Sequence, residues 1–313
     1  LHPVAHSFPT RRSSDLCNVI ATLPGMDPIA GIIVLAAHTD SVGGGDGAVD
    51  DWSGAVMLAS LYQVLRQEEL RHTFVFAAFA SEEHGCQGSA QFVRGLDHDT
   101  RCEIQAMVNL ECLGVGRPRT WTNRSADSLE VLCQKAGRRT GLAVKRQVLF
   151  GYKSDARSFA GAGIPAITIH SLGPEDLGCI NGPGDTVDRI SLYRFARTFQ
   201  LLTAFLERLD QHVGPFSNQD RERQWKPAPQ TLLREAVDTG DGRGVRLSWL
   251  GSPERAAGLQ PGDVLTGVAG VPVRCRGDLA PILLTLRRGA TVDVQVSRRQ
   301  SGRAWTLSVS VAY

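Results

Sequence analysis

The sequence predicts an α/β fold: a mostly parallel sheet with helices on both faces, followed by a small, mainly β domain. Three observations predict it. Short β-branched apolar runs alternate with helix-patterned stretches from Gly31 through Leu209. A polar segment with Pro215, Pro227 and Pro229 (residues 214–230) then interrupts the pattern. Beyond it the chain changes to short alternating strands. With 313 residues, 42% of them hydrophobic and 21% charged, there is material for two cored domains, and intrinsic disorder is excluded.

Each element follows in order. GIIVLAAH (31–38) reads as a buried strand. Ser53 is placed to cap a helix carried by Val56, Leu58, Leu61, Val64 and Leu65. HTFVFAAFA (72–80) and IQAMVNLEC (104–112) are further buried strands, and Leu129, Leu132, Cys133 and Ala136 mark a helix. IPAITIH (164–170) is a strand entered through Gly163 and Pro165. Leu192, Phe195, Ala196, Phe199, Leu202, Phe205, Leu206 and Leu209 keep helical spacing over a long amphipathic segment. Strands alternating with helices imply a mostly parallel sheet covered on both sides. After the linker, GVRLSWL (244–250), VLTGV (264–268), TVDVQV (291–296) and TLSVSVAY (306–313) read as strands. The expected division is therefore a first domain at 18–213, a linker at 214–230 and a second domain at 231–313.

Composition narrows the function. The net charge of +2 is spread along the chain rather than gathered in a basic stripe, which argues against a nucleic-acid partner. No run nears the roughly 20 apolar residues that span a bilayer. The cysteines, Cys17, Cys86, Cys102, Cys112, Cys133, Cys179 and Cys275, are odd in number and lack a C-x-x-C pair. That fits neither a disulfide scaffold nor a sulfur-ligated zinc site, and free buried thiols with at most one bridge are expected. Residues 1–16 (LHPVAHSFPTRRSSDL) have no apolar periodicity and no hydrophobic signal-peptide core. They resemble adapter-derived sequence of metagenomic assemblies, so residues 1–17 are expected to be non-native or disordered.

The chemistry gathers where strands end. The first ends in His38-Thr39-Asp40, the second in Ser81-Glu82-Glu83-His84-Gly85 and the third in Asn109-Leu110-Glu111. Between the first two, a glycine-rich loop leads to Asp50-Asp51 at a helix start. Ligands bind beyond the carboxyl ends of parallel strands, so these groups should converge in one crevice. One imidazole and several carboxylates there suit zinc or manganese. Buried carboxylates without a cation would cost several kcal/mol each.

The segments HTDSV, GAVDDWSGAV, ASEEHG, MVNLECLG, GYKSDARSFAGAGIPAITI and NGPGDTVDRIS resemble, in order and spacing, the motif series of the M28 family of co-catalytic zinc peptidases, which includes aminopeptidases. The resemblance covers roughly residues 18–210. It implies a phosphorylase/hydrolase-like α/β sandwich binding one or two zinc ions, with a peptide as substrate. It further implies that His38 and Glu111 bind one zinc, Glu83 the other, and that Asp50 bridges both. Glu82 would be the general base and Asp40 would orient His38. Tyr152 matches a position that in some relatives helps hold the developing oxyanion; an ordinary packing tyrosine is the equal alternative. Glu111 stands where relatives often carry Asp. The larger departure is Asn181, which occupies the position of the family's last histidine ligand. An amide oxygen is a weak zinc donor, so the set of Asp50 and Glu83 is one donor short. His170 is a nearby substitute, Asp155 and Asp185 are acidic neighbours, and a catalytically impaired binding scaffold is the alternative function. Relatives are often exported, so a periplasmic or secreted location is the expectation, with the compartment left open.

SPERAAGLQPGDVLTGVAGVPV (252–273) resembles a PDZ domain of the bacterial peptidase-associated kind. That resemblance implies capture of an extended peptide or C-terminus as an added strand, with Gly242-Arg243-Gly244-Val245 as the carboxylate-binding loop. A small β domain that only packs is the alternative.

Overall fold

The computed structural model describes residues 6–8, 17–216, 236–248, 250, 252–286, 289–300 and 303–312. They form two compact units, the first on an eight-stranded sheet and the second on a six-stranded one. Most of the expected linker, residues 217–230, lies outside the described residues.

In the first unit the strands are β1 (His6–Phe8), β2 (Asn18–Leu23), β3 (Ile32–His38), β4 (Thr73–Phe79), β5 (Ile104–Leu110), β6 (Arg119–Trp121), β7 (Lys145–Gln147) and β8 (Ala166–His170). The spatial order is β1-β2-β4-β3-β5-β8-β6-β7. The inner strands β4, β3, β5 and β8 are parallel, as is the β6–β7 pair, whereas β1–β2, β2–β4 and β6–β8 are antiparallel. The sheet is thus mixed, which corrects the mostly parallel expectation at its flanks. The stretch from Leu23 to Ile32 is shorter than the dozen or so residues of a parallel crossover, so β2 and β3 run in opposite senses. His6–Phe8, expected to be non-native or disordered, pairs antiparallel with Asn18–Ile20, on the side of β2 away from β4.

The helices are α1 (Ser53–Leu65), α2 (Gln87–Gly95), α3 (His98–Glu103), α4 (Asp127–Arg139), α5 (Ala156–Gly161) and α6 (Leu192–Asp210). Strand periodicity sorts β3 between two cores. Ile33, Leu35 and Ala37 enter one cluster with Met57 and Leu61 of α1, Leu129 of α4 and Phe205 of α6. Val34 and Ala36 enter another with Val93 of α2 and Phe159 of α5. Both faces are therefore covered, and only the strand ends remain for chemistry. Ser191 caps α6 by accepting the N–H of Arg194. Ser53 differs from expectation. It is the first residue of α1, not its cap; its hydroxyl donates to the Val49 carbonyl at 2.8 Å and accepts the Leu113 N–H at 2.7 Å.

The second unit contains β9 (Ala236–Asp238), β10 (Val245–Leu247), α7 (Ser252–Ala256), β11 (Val264–Val268), β12 (Val271–Pro272), α8 (Arg276–Leu284), β13 (Thr291–Gln300) and β14 (Arg303–Ala312). The sheet is antiparallel, ordered β14-β13-β11-β10-β9, with β12 beside β11. Val292, Val294 and Val296 alternate inward along β13 and pack with Leu265, Val245, Leu279 and Leu283. β10, which follows the expected carboxylate-binding loop, is paired on both sides, so the outer strands of this order are β9 and β14. Among the described residues Arg243 forms an ion pair with Asp241, at 3.7 Å, and both side chains are largely exposed.

Candidate metal and catalytic centre

The carboxyl ends of β3, β4 and β5 bring His38, Glu82, Glu83 and Glu111 to one end of the sheet, and the turn before α1 adds Asp50. Two clusters of possible metal donors result. His38, Asp50 and Glu83 each offer an atom within 4.8 Å of the others, and so do Asp50, Glu111 and Cys112. Asp50 belongs to both. The sequence reading places His38 and Glu111 on one ion and Glu83 on the other with Asp50 between them, and Asp50 is the residue common to both clusters here.

The imidazole of His38 is 1% exposed, and its two nitrogens have different roles. Nδ1 lies 2.9 Å from the carbonyl oxygen of Asp40, which can only accept, so Nδ1 carries the hydrogen. Nε2 then turns toward Asp50 Oδ1 at 3.0 Å. A lone pair facing a carboxylate at that distance needs a proton or a cation between them. Without a cation the proton wins: although burial opposes it, the bonds to Asp40 and Asp50 hold the imidazole well above its ordinary value.

The carboxylates give the same signal from the other side. Burial, with Asp50 and Glu82 close by, pushes Glu83 up to about 8. Its Oε1 is enclosed and has no hydrogen-bond donor among the described residues. Burial, then Glu82 and Asp50, drive Glu111 well above the carboxylate range. Burial likewise raises Glu82, partly opposed by His38. Crowded acids that resist ionisation, around an imidazole lone pair, fit a divalent cation, whose charge reverses each of these preferences.

Asp40 does more than the sequence reading assigns it. Its carboxylate is 3.5 Å from His38 Nδ1, farther than its own carbonyl. The carboxylate oxygens accept the N–H groups of Glu82 (2.9 Å) and Glu83 (3.2 Å), fastening the end of β4 to that of β3. Burial works against its ionised form, but His38 and those amides prevail and keep Asp40 below its usual value.

Two further carboxylates shape the site. Asp51, 1% exposed, accepts the N–H groups of His38 (3.4 Å), Gly54 (3.0 Å) and Cys112 (3.0 Å). A Cβ at Gly54 would stand 2.4 Å from that carboxylate, so glycine is required there. Sequence reasoning missed Asp51; its signal is the Asp-Asp pair with glycine at the third position beyond it. Asp185 accepts the N–H of Val49 at 2.7 Å and of Asp50 at 3.3 Å, and so places Asp50. The loop of Gly43 to Gly47 rests on the same segment, because a Cβ at Gly45 would meet the Gly182 carbonyl at 2.2 Å.

The remaining candidates divide. Tyr152 is half-buried, edge-on to Trp121 at 6.5 Å, and burial together with Cys112 and Asp50 raises its phenol. Its hydroxyl therefore belongs to this neighbourhood. Asn181 is exposed with φ 59°, and its N–H supports the carboxylate of Asp185. His170 is 3% exposed, its ring nitrogens have no hydrogen-bond partner among the described residues, and burial with Arg119 pushes it down to about 3. It belongs to neither donor cluster. Asp155 is wholly buried and raised by burial to about 7. All the cysteines are free, so no bridge forms.

A sheet flanked by helices, with an imidazole and acidic donors at its carboxyl edge, is an α/β fold with a candidate metal centre. The profile of peptidase family M28 matches residues 18–206, and the chain belongs to that family. Leucine aminopeptidase 2 of Trichophyton rubrum is 33% identical over 97 residues, which are 31% of this chain and 19% of the relative. The chain thus spans about a tenth to a fifth of the length of the curated relatives it matches. Among solved structures, the aminopeptidase from Aneurinibacillus sp. strain AM-1 superposes with a TM-score of 0.55 at 25% identity, over 65% of this chain and 50% of that one. A zinc aminopeptidase from Bacillus subtilis shares the fold with a TM-score of 0.57 at 22% identity, over 65% of this chain and 52% of that one. Among the described residues no helix is long and apolar enough to cross a membrane.

Proposed function

We propose that the chain is a zinc-dependent exopeptidase, an aminopeptidase that hydrolyses N-terminal peptide bonds with Glu82 as general base. The observation that carries this reading is the pair of donor clusters sharing Asp50, with Glu82 beside them. His38, Asp50, Glu83 and Glu111 would hold one or two ions, zinc or alternatively manganese. A bound divalent ion supplies Lewis acidity, which polarises the scissile carbonyl and makes water easier to deprotonate.

The chain's own residues supply the rest. Glu82 Oε1 accepts the Cys86 thiol at 3.3 Å, which leaves Oε2 to take the proton of the attacking water. Burial lifts its carboxyl toward the working pH, so the same oxygen can hand that proton to the departing amine. Asp40 aims Glu82 through its backbone N–H and holds His38 in the tautomer that presents Nε2. The Tyr152 hydroxyl is a donor for the oxygen of the tetrahedral intermediate.

The second unit, residues 231–313, is proposed as a PDZ-like module that captures an extended peptide or C-terminus, with residues 18–213 as the peptidase domain and 214–230 joining them. Its antiparallel sheet with two helices supports that reading, and β9 and β14 are the strands to which a peptide could add. Asn181 favours a second reading, a catalytically impaired scaffold, and one assay separates the two. Hydrolysis of leucine p-nitroanilide by the zinc-loaded protein should fall roughly 10²–10⁴-fold in Glu82→Gln, with metal content unchanged. No hydrolysis by the parent protein, or equal hydrolysis by the variant, refutes the catalytic reading.

A further inference from the structure

We propose that a cavity at the start of α6, lined by Arg117, Arg194 and Arg197, binds a multivalent oxyanion: a phosphate ester or a cluster of carboxylates. The cavity measures about 410 Å³, room for a small organic ligand. Pro118 and Leu142 give it an apolar wall, and the largely exposed Tyr193 adds a phenol to its lining. It shares no residue with either cluster of metal donors.

The charge around this cavity is uncompensated. Among the described residues no carboxylate lines it, and Arg117 makes neither a hydrogen bond nor an ion pair. Arg194 donates to the Val115 carbonyl, and Arg197 donates to the Gln200 side chain at 2.7 Å and the Thr140 carbonyl at 2.8 Å. Those acceptors are neutral, so they fix both guanidinium groups without cancelling charge and leave N–H donors free for a ligand. The acids farther along α6 are engaged elsewhere. Glu207 pairs with Arg139, and Asp210 accepts the N–H groups of Arg71 and His72.

The placement also works against the fold. Arg194 lies in the first turn of α6, where aligned peptide dipoles present positive charge, and that turn contains no acid. Arg197 follows three residues on, on the same helix face, where like charges repel. An anion in the cavity reverses both penalties, and such local conflicts persist chiefly where a function uses them. The cavity also spans two segments that leave the candidate metal centre. Residues 116–118 follow Glu111, and α6 follows Asp185; the Ser191 N–H ties the two by donating to the Gly114 carbonyl at 3.0 Å. A single carboxylate matches one guanidinium fork, whereas a ligand with several anionic groups bridges Arg117 on one segment to Arg194 and Arg197 on the other.

Titration calorimetry of the full chain tests this with two probes. Glucose 1,6-bisphosphate stands for a free phosphate ester. Glu-Glu-Glu blocked at both ends stands for an acidic peptide and has no free terminus for the metal centre. At least one probe should bind at one site per chain, more weakly as salt rises. Arg117→Ala removes an exposed side chain without a bond in the fold. It should leave the melting midpoint unchanged and weaken binding about 10- to 100-fold, the loss of one charge-assisted hydrogen bond. Chelated protein should bind as untreated protein does, which separates this cavity from a phosphate held by a metal. Binding of the bisphosphate alone identifies a free small molecule as the ligand, and binding of the peptide alone identifies an acidic chain; either supports the site. No saturable binding of either probe, equal binding by Arg117→Ala, or binding lost on chelation overturns the proposal.

Discussion

Removing the carboxylate of Asp185 should loosen the turn that carries Asp50, and the cost can be worked from its bonds. Asp185 is 2% exposed and, besides the N–H of Asn181, accepts two amides of that turn, a short one from Val49 at 2.7 Å and a longer one from Asp50 at 3.3 Å. Hydrogen bonds to a charged group contribute about 1.5–3 kcal/mol each, the longer lying at or below the lower end. Asp185→Ala forfeits both and strands two amides. Burial raises the Asp185 carboxyl, so its own desolvation is relieved and offsets part of the loss. A net destabilisation of about 2–3 kcal/mol follows, or about 4–12 °C in the midpoint of a domain of this size. Asp185→Asn keeps one acceptor for Val49 but sets an amide donor against the Asp50 N–H, so its cost should be about half. Differential scanning calorimetry of the two variants tests this ordering. An alanine variant within about 1 °C of the parent, or an asparagine variant worse than alanine, would refute the assignment of Asp185 as the support of Asp50.

Chelated protein should become less stable as pH rises from 6 to 8. Glu83, whose ordinary value is 4.5, is lifted to about 8 in the fold, so between those values the folded state binds a proton that the unfolded state has lost. His38, raised by its carboxylate partners, acts in the same direction, and melting curves of Glu83→Gln should show a shallower slope. Phe205→Ala, at a fully buried position between α6 and the sheet, should cost about 3–5 kcal/mol, seen in urea unfolding of the first unit. Arg298→Ala should cost the second unit about 1–3 kcal/mol, because Arg298 donates to both oxygens of the buried Asp263 at 2.7 Å and to the Gly258 carbonyl. The midpoint of the second unit's unfolding transition, followed by calorimetry of the whole chain, checks that value.

Much of this site is legible in the sequence because apolar runs ending in charge identify strand ends. His38 closes a buried strand, Glu111 follows one directly and Glu82 and Glu83 come within four residues of one, so the fold needs only to set those strands side by side. Helices α1, α4 and α6 are legible through spacing. β2 is not, because NVIATL has no clean alternation of apolar and polar residues. α2 is also hidden; it starts after Cys86, whose φ of 59° no local propensity announces. The supporting acids are harder to read than the functional ones. Asp51 takes its meaning from amides far along the chain, at His38 and Cys112, and a sequence shows only that it adjoins Asp50.

The three amides gathered by Asp51 also set where motion can occur. They belong to the end of β3, the first turn of α1 and the residue after Glu111. Opening any one of them exposes a buried carboxyl and frees two elements of the core at once. Hydrogen exchange at His38, Gly54 and Cys112 should therefore proceed through the rarest openings of this unit, on the scale of global unfolding. The shelf that carries the chemistry cannot breathe independently of the fold.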